Sequence, residues 1–238
     1  AAGQDIQAQR LWLQALHRTR ELPRALAWAH QLEAQGALTP GVAGVASLIA
    51  VDQSDLHSAE RWARAALAAR AQTPEAPMEA LVALATVLLA RRNAPQAQQL
   101  AHEALALRRD DGRAWSVLAF ASLLAGNLGP ARDQFAQALR HMPAHVGTWH
   151  GQGWAQLLQG ELDAAHDSFA AALALDRNFA ESHGGLAVVA ALQNHTEAAR
   201  AHIERANRLD RHNLAGRYAQ AILAGETQDR QAVQRLAR

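Results

Sequence analysis

Small residues recur along this chain at a fixed interval of 34. Ala97, Ala131, Ala165 and Ala199 form one such series, and Ala104, Ala138, Ala172 and Ala206 form a second. Bulky Phe135, Phe169 and Ile203 stand between them at the same interval. Longer blocks repeat too. Ala114-Trp115-Ser116-Val117-Leu118-Ala119 aligns with Thr148-Trp149-His150-Gly151-Gln152-Gly153, and Leu175-Asp176-Arg177-Asn178 with Leu209-Asp210-Arg211-His212. A period of this length restricts the fold more than any single residue does. It calls for a small supersecondary unit that cannot bury its own apolar face and must stack on copies of itself.

Composition says what the unit is made of. Half of the residues are hydrophobic but only 5% are aromatic, so Ala and Leu carry the apolar share. Both are strong helix formers, whereas a sheet protein would draw on Val, Ile, Thr and aromatics. An all-helical chain is therefore expected. Turns are expected at Gly126-Asn127 and Gly160-Glu161 within units, and at Met142-Pro143-Ala144 between them. In 146–179 this places one helix near 147–158 and the next near 163–175.

The slots resemble those of the tetratricopeptide repeat, W-x2-L-G-x2-Y, then A-x3-F, then P. In 112–145 the match is Trp115, Leu118, Ala119, Ala131, Phe135, Ala138 and Pro143, with Ala119 in place of Gly and Ser122 in place of Tyr. In 146–179 it is Trp149, Gly153, Ala165, Phe169 and Ala172, with Arg177 where Pro is usual; in 180–213, His183 takes the Trp slot. The resemblance implies an all-α, right-handed α-solenoid, one domain over 1–238. Its units are 6–39, 40–73, 78–111, 112–145, 146–179 and 180–213, with capping helices in 214–238 (near 214–224 and 229–237). Pro74-Glu75-Ala76-Pro77 is a four-residue insert before the third unit. In the first unit Leu13 falls in a small slot and Trp12 in the Leu slot.

Missing residue types exclude whole chemistries. Without Cys there is no disulfide, thiolate nucleophile or Cys-ligated metal. Without Lys there is no P-loop lysine and no Schiff base. The 23 Arg face 22 acids and form no basic stripe of the kind a nucleic-acid binder needs. No apolar run approaches the roughly 20 residues that cross a bilayer. The start, Ala1-Ala2-Gly3, lacks Met and a signal-peptide layout, so the chain reads as a trimmed fragment with room for an upstream anchor.

Possible catalytic groupings fail one by one. His141 and His145 are four apart but flank Pro143 in a turn; His102-Glu103 begins like a zincin helix without its second His. Ser182 and His183 are adjacent and so point about 100° apart on a helix. Asp110-Asp111 reads as a turn and helix N-cap. No enzyme activity, cofactor or metal is expected.

The resemblance instead directs attention to a concave groove lined by the first helix of each unit. One row there is Leu48, Thr86, Phe120, Trp154, Val188 and Ile222; its neighbour is Gly44, Val82, Ser116, His150, Gly184 and Tyr218. Leu123, Leu124, Leu157, Leu158 and Leu192 lie further along the same helices, and Arg113 at a rim. The expected site is Phe120, Trp154, His150, Leu124, Leu158, Val188, Tyr218, Ile222 and Arg113. Phe120 and Trp154 would anchor a hydrophobic peptide or helix of a partner protein, with His150 and Tyr218 supplying hydrogen bonds beside them. The expected function is a non-enzymatic scaffold. The alternative is a regulatory or substrate-binding arm of an enzyme whose catalytic domain lies elsewhere. An Ala-rich, Arg-only composition suggests a GC-rich bacterial genome. The family's bacterial relatives imply an envelope assembly (secretion, pilus biogenesis or exopolysaccharide export), with cytoplasm and periplasm both open.

Overall fold

The computed structural model describes residues 2–71 and 77–225, and among these there are thirteen α-helices and no strand. They are α1 (Ala2–Arg18), α2 (Leu22–Ala34), α3 (Pro40–Asp52), α4 (Leu56–Ala68), α5 (Pro77–Ala90), α6 (Ala94–Leu107) and α7 (Gly112–Leu124). Then come α8 (Leu128–His141), α9 (Val146–Gln159), α10 (Leu162–Leu175), α11 (Ala180–Leu192), α12 (Thr196–Leu209) and α13 (Leu214–Leu223). The helix expected near 229–237 and most of the Pro74–Pro77 insert lie outside the described residues.

The chain forms two compact units, Ala1–Val117 and Leu118–Arg238, and the division falls inside α7. In the first unit α3 pairs with α4 and α5 with α6, while α1, α3 and α5 pack side by side. In the second, α9 pairs with α10 and α11 with α12, while α9, α11 and α13 pack side by side. Odd-numbered first helices thus make one layer of each unit and even-numbered second helices the other.

A single backbone device closes every hairpin. Arg20, Ser54, Arg92, Gly126, Gly160 and Asn194 each follow a first helix and adopt a left-handed conformation, with φ between 59° and 82°. The next residue's N–H returns to a carbonyl of the last helical turn, as in Glu161 to Gln156 O at 3.0 Å and His195 to Ala190 O at 2.8 Å. This satisfies carbonyls that a helix end would otherwise leave unpaired.

Repeat-to-repeat packing in the second unit centres on Phe169, which is fully buried. A Cβ on Gly153 of α9 would meet its ring at 2.7 Å, and one on Gly185 of α11 at 2.6 Å. Only glycine permits this approach from both sides. Ala131, Ala138, Ala165, Ala172, Ala199 and Ala206 are all fully buried, as close helix approach requires. The first unit is filled instead around Trp62, Leu13, Ile49 and Leu81. There Leu13 is fully buried while Trp12 is 44% exposed beneath the Arg24 guanidinium, so Trp12 does not fill the buried Leu slot in which the sequence places it.

Candidate functional site

The first-helix face of the second unit carries most of the expected site residues, but at unequal depth. Trp154 is 6% exposed, Val188 is fully buried and Tyr218 is 8% exposed. The expectation that Trp154 stands out as an accessible anchor is therefore corrected. Its indole lies in the core against Phe169, with ring centroids 5.8 Å apart and planes at 78°. The slot positions on a helix face set direction but not depth, and Trp154 packs inward against Phe169 of α10 and His150 of its own helix.

Phe120, Leu158 and Ile222, with Leu192, remain half-buried at the edge of the same core, and Leu124 is half-buried at the end of α7. Leu124, Leu158 and Leu192 occupy one slot in three successive repeats, at the ends of α7, α9 and α11. They form an apolar ladder partly open to solvent. Phe120 fixes its upper end by packing edge-on against Phe135 at 4.9 Å.

His150 is the polar element beneath that face. The Trp154 Nε1–H donates to His150 Nε2 at 2.9 Å, so Nε2 has no proton of its own. The proton must then be on Nδ1, which donates to Ser182 Oγ at 3.1 Å. Phe169 and Phe179 also crowd the ring, each with centroids 5.4 Å away. Burial disfavours the imidazolium and pushes its pKa down to about 4. His150 therefore acts inside the protein as a neutral linker between α9 and α11. Both ring nitrogens are engaged there, so its expected role of donating hydrogen bonds to a partner does not fit.

Arg113 also has a different position from the expected rim. It forms a bidentate pair with Asp52, 61 residues earlier, with both nitrogens at 2.8 Å. His17 reaches the same carboxylate at 2.7 Å and Arg20 at 3.8 Å. Burial alone would raise the Asp52 pKa, but hydrogen bonds from His17 and Arg113 and their positive charge hold it far below the usual carboxylate range. A second pair, Arg10 with Glu79 at 3.6 Å, likewise joins helices two repeats apart, α1 and α5. The face of the first unit is thus crossed by ion pairs. Sequence reasoning found neither, because partners 61 and 69 positions apart share no periodic signature.

The rejected chemical groupings take structural roles. Asp111 caps α7 by accepting from the Ala114 N–H at 2.8 Å, and His145 caps α9 by accepting from Thr148 N–H at 3.2 Å. Ser182 is buried against His150, away from His183. Among the described residues no three His, Asp or Glu gather as metal ligands, and no helix is long and apolar enough to cross a membrane.

Hairpins of 34 residues closed by left-handed turns and stacked through small slots define a helical repeat protein, and known structures agree. A subunit of the structure described as the APC/C hetero-tetramer Cut9-Hcn1 superposes with a TM-score of 0.72 over 90% of this chain at 16% identity. This chain spans only 42% of that one. YrrB, described as a TPR protein with an unusual peptide-binding site, gives a TM-score of 0.55 at 16% identity over 82% of this chain and 97% of its own. MamA gives 0.55 at 14% identity over 68% and 92%. No protein-family model and no curated protein matches the sequence. The chain has the tetratricopeptide-repeat fold.

Proposed function

We propose that this protein is a non-enzymatic protein-interaction scaffold that binds an apolar peptide or helix of a partner along the first-helix face of its second unit. The observation that carries this reading is the half-buried ladder Leu124, Leu158 and Leu192, flanked by Phe120 and Ile222. Solvent-facing apolar side chains in register on adjacent helices mark interaction sites more often than chance surface. Spacing at one residue per repeat suits a partner that offers apolar side chains at regular intervals. Trp154, Val188 and Tyr218 serve as the rigid floor of this face. His150 holds the floor in place, and Arg113 has its part in the first unit. The peptide-binding site named for YrrB is support by analogy of fold. An envelope assembly in a bacterium remains the proposed setting, resting on composition and the family's bacterial uses.

The test is selection of peptides from a displayed random library against the intact chain, followed by affinity measurement on variants. Selected peptides should share spaced apolar residues. Leu158→Gln and Leu124→Gln should each weaken their binding at least about tenfold, the scale of a modest hot spot, with little change in melting temperature. Peptides without an apolar pattern, or unchanged affinity in both folded variants, would overturn the reading.

A further inference from the structure

His183 stands in a slot that holds Trp in the two preceding repeats. There the indole N–H donates to the carbonyl six residues upstream, Trp115 to Arg109 O and Trp149 to Pro143 O, both at 2.8 Å. His183 sets Nε2 in the same place, 3.2 Å from Arg177 O. A carbonyl can only accept, so Nε2 carries the proton and Nδ1 is left with a lone pair. An indole has no such lone pair. The exchange of Trp for His therefore keeps the framework hydrogen bond and adds a ligand atom.

That atom faces a second one. His183 Nδ1 lies 3.2 Å from Nδ1 of His202 on α12, with the ring centroids 5.4 Å apart and tilted by 37°. The preceding repeat has Ser168 where His202 stands. Both histidines are half-buried and within reach of solvent ions. Two imidazole nitrogens 3.2 Å apart, each about 2.0–2.1 Å from one ion, subtend about 100° there, close to a tetrahedral angle.

We propose that His183 and His202 form a two-ligand site for an imidazole-seeking divalent metal of the Zn²⁺ or Ni²⁺ class, bound through both Nδ1 atoms and completed by water. Without metal, His202 Nδ1–H donates to His183 Nδ1. With metal, small ring rotations turn both lone pairs to the ion, and His202 carries its proton on Nε2. Burial, foremost, lowers both imidazole pKa values; the hydrogen bond to Arg177 O opposes this at His183 while Arg205 adds to it, and His183 and His166 add to it at His202. Two imidazole nitrogens suit such metals, whereas hard cations such as Mg²⁺ seek oxygen ligands.

The test replaces each histidine by the residue the preceding repeat carries. His183→Trp retains the N–H for the Arg177 carbonyl, and His202→Ser removes the second ligand. Ni²⁺ and Zn²⁺ are titrated calorimetrically at pH 7.5 into the parent and both variants, with Mg²⁺ as control. Imidazole nitrogen spectra are recorded alongside. The parent should bind one ion at least tenfold more tightly than either variant, ignore Mg²⁺, and show shifts at the Nδ1 atoms of His183 and His202. Equal affinity in parent and folded variants, or shifts confined to other histidines, would overturn the site and leave the pair as a hydrogen bond alone. If His183→Trp does not fold, His202→Ser decides by the same criteria.

Discussion

The two units use the same repeat slots for opposite purposes. One slot at or next to the end of the first helix holds Arg18 in α1, Asp52 in α3 and Ala90 in α5, but Leu124 in α7, Leu158 in α9 and Leu192 in α11. In the first unit this slot supplies the carboxylate to which His17, Arg20 and Arg113 converge. In the second it supplies an apolar ladder. The left-handed turn slot diverges in the same way: Arg20, Ser54 and Arg92 in one unit, Gly126, Gly160 and Asn194 in the other. Glycine, and to a lesser degree Asn, accepts that backbone easily, whereas Arg and Ser carry a steric cost. A shared hairpin geometry thus leaves the face chemistry open, and one unit is held by side-chain charge where the other presents apolar surface.

The largest effect expected from breaking this contrast comes from Arg113→Ala. It removes the bidentate partner of a carboxylate whose side chain is only 12% exposed. Removing one partner of so covered a pair should cost about 2–3 kcal/mol, at the lower edge of the buried-pair range because His17 remains. Amide hydrogen exchange should show the loss in α3 and α5, with α10 to α12 unaffected. Equal loss in both units would mean that the ion pair does not act locally.

Acid should separate the units in the other direction. Unfolded His150 titrates near pH 6.5 and the folded residue near 4. Between those values the unfolded chain binds more protons, so stability falls as pH falls, by about 2.5 kcal/mol at about pH 4.5. Asp52 has its folded pKa lowered, so its contribution is fully present above the unfolded carboxylate value and fades only below it. Exchange between pH 7 and 4.5 should therefore quicken in α9 and α11 before α3. His150→Asn should flatten that dependence, and an unchanged slope would show that this histidine does not carry it.

The smallest effect is at the turns. Arg92→Gly should stabilise the first unit by about 0.5–1 kcal/mol, because it removes a side chain from a left-handed residue. Gly126→Ala should destabilise the second by a similar amount, also read from chemical denaturation. Matching signs for the two would show that the turn slot is not equivalent between units.

Periodicity, helix-forming composition and turn-breaking residues together determined the helices and which small residues lie between them. In 146–179 the expected helices near 147–158 and 163–175 are α9 and α10, Val146–Gln159 and Leu162–Leu175. Ala131, Phe135 and Phe169 are buried as their slots require. These features are local, set by 3.6-residue spacing and by a unit that repeats, and the chain carries them without reference to its neighbours. The tertiary structure decided what the face residues do. Trp154 and Phe120 share a slot, yet one is buried against Phe169 and the other stays half-buried, because depth depends on what packs alongside. Arg113 meets Asp52 across 61 residues, and His183 meets His202 at 3.2 Å, only once hairpins are stacked. A repeat pattern specifies the direction in which each side chain leaves its helix; the partner it finds there is supplied by other helices.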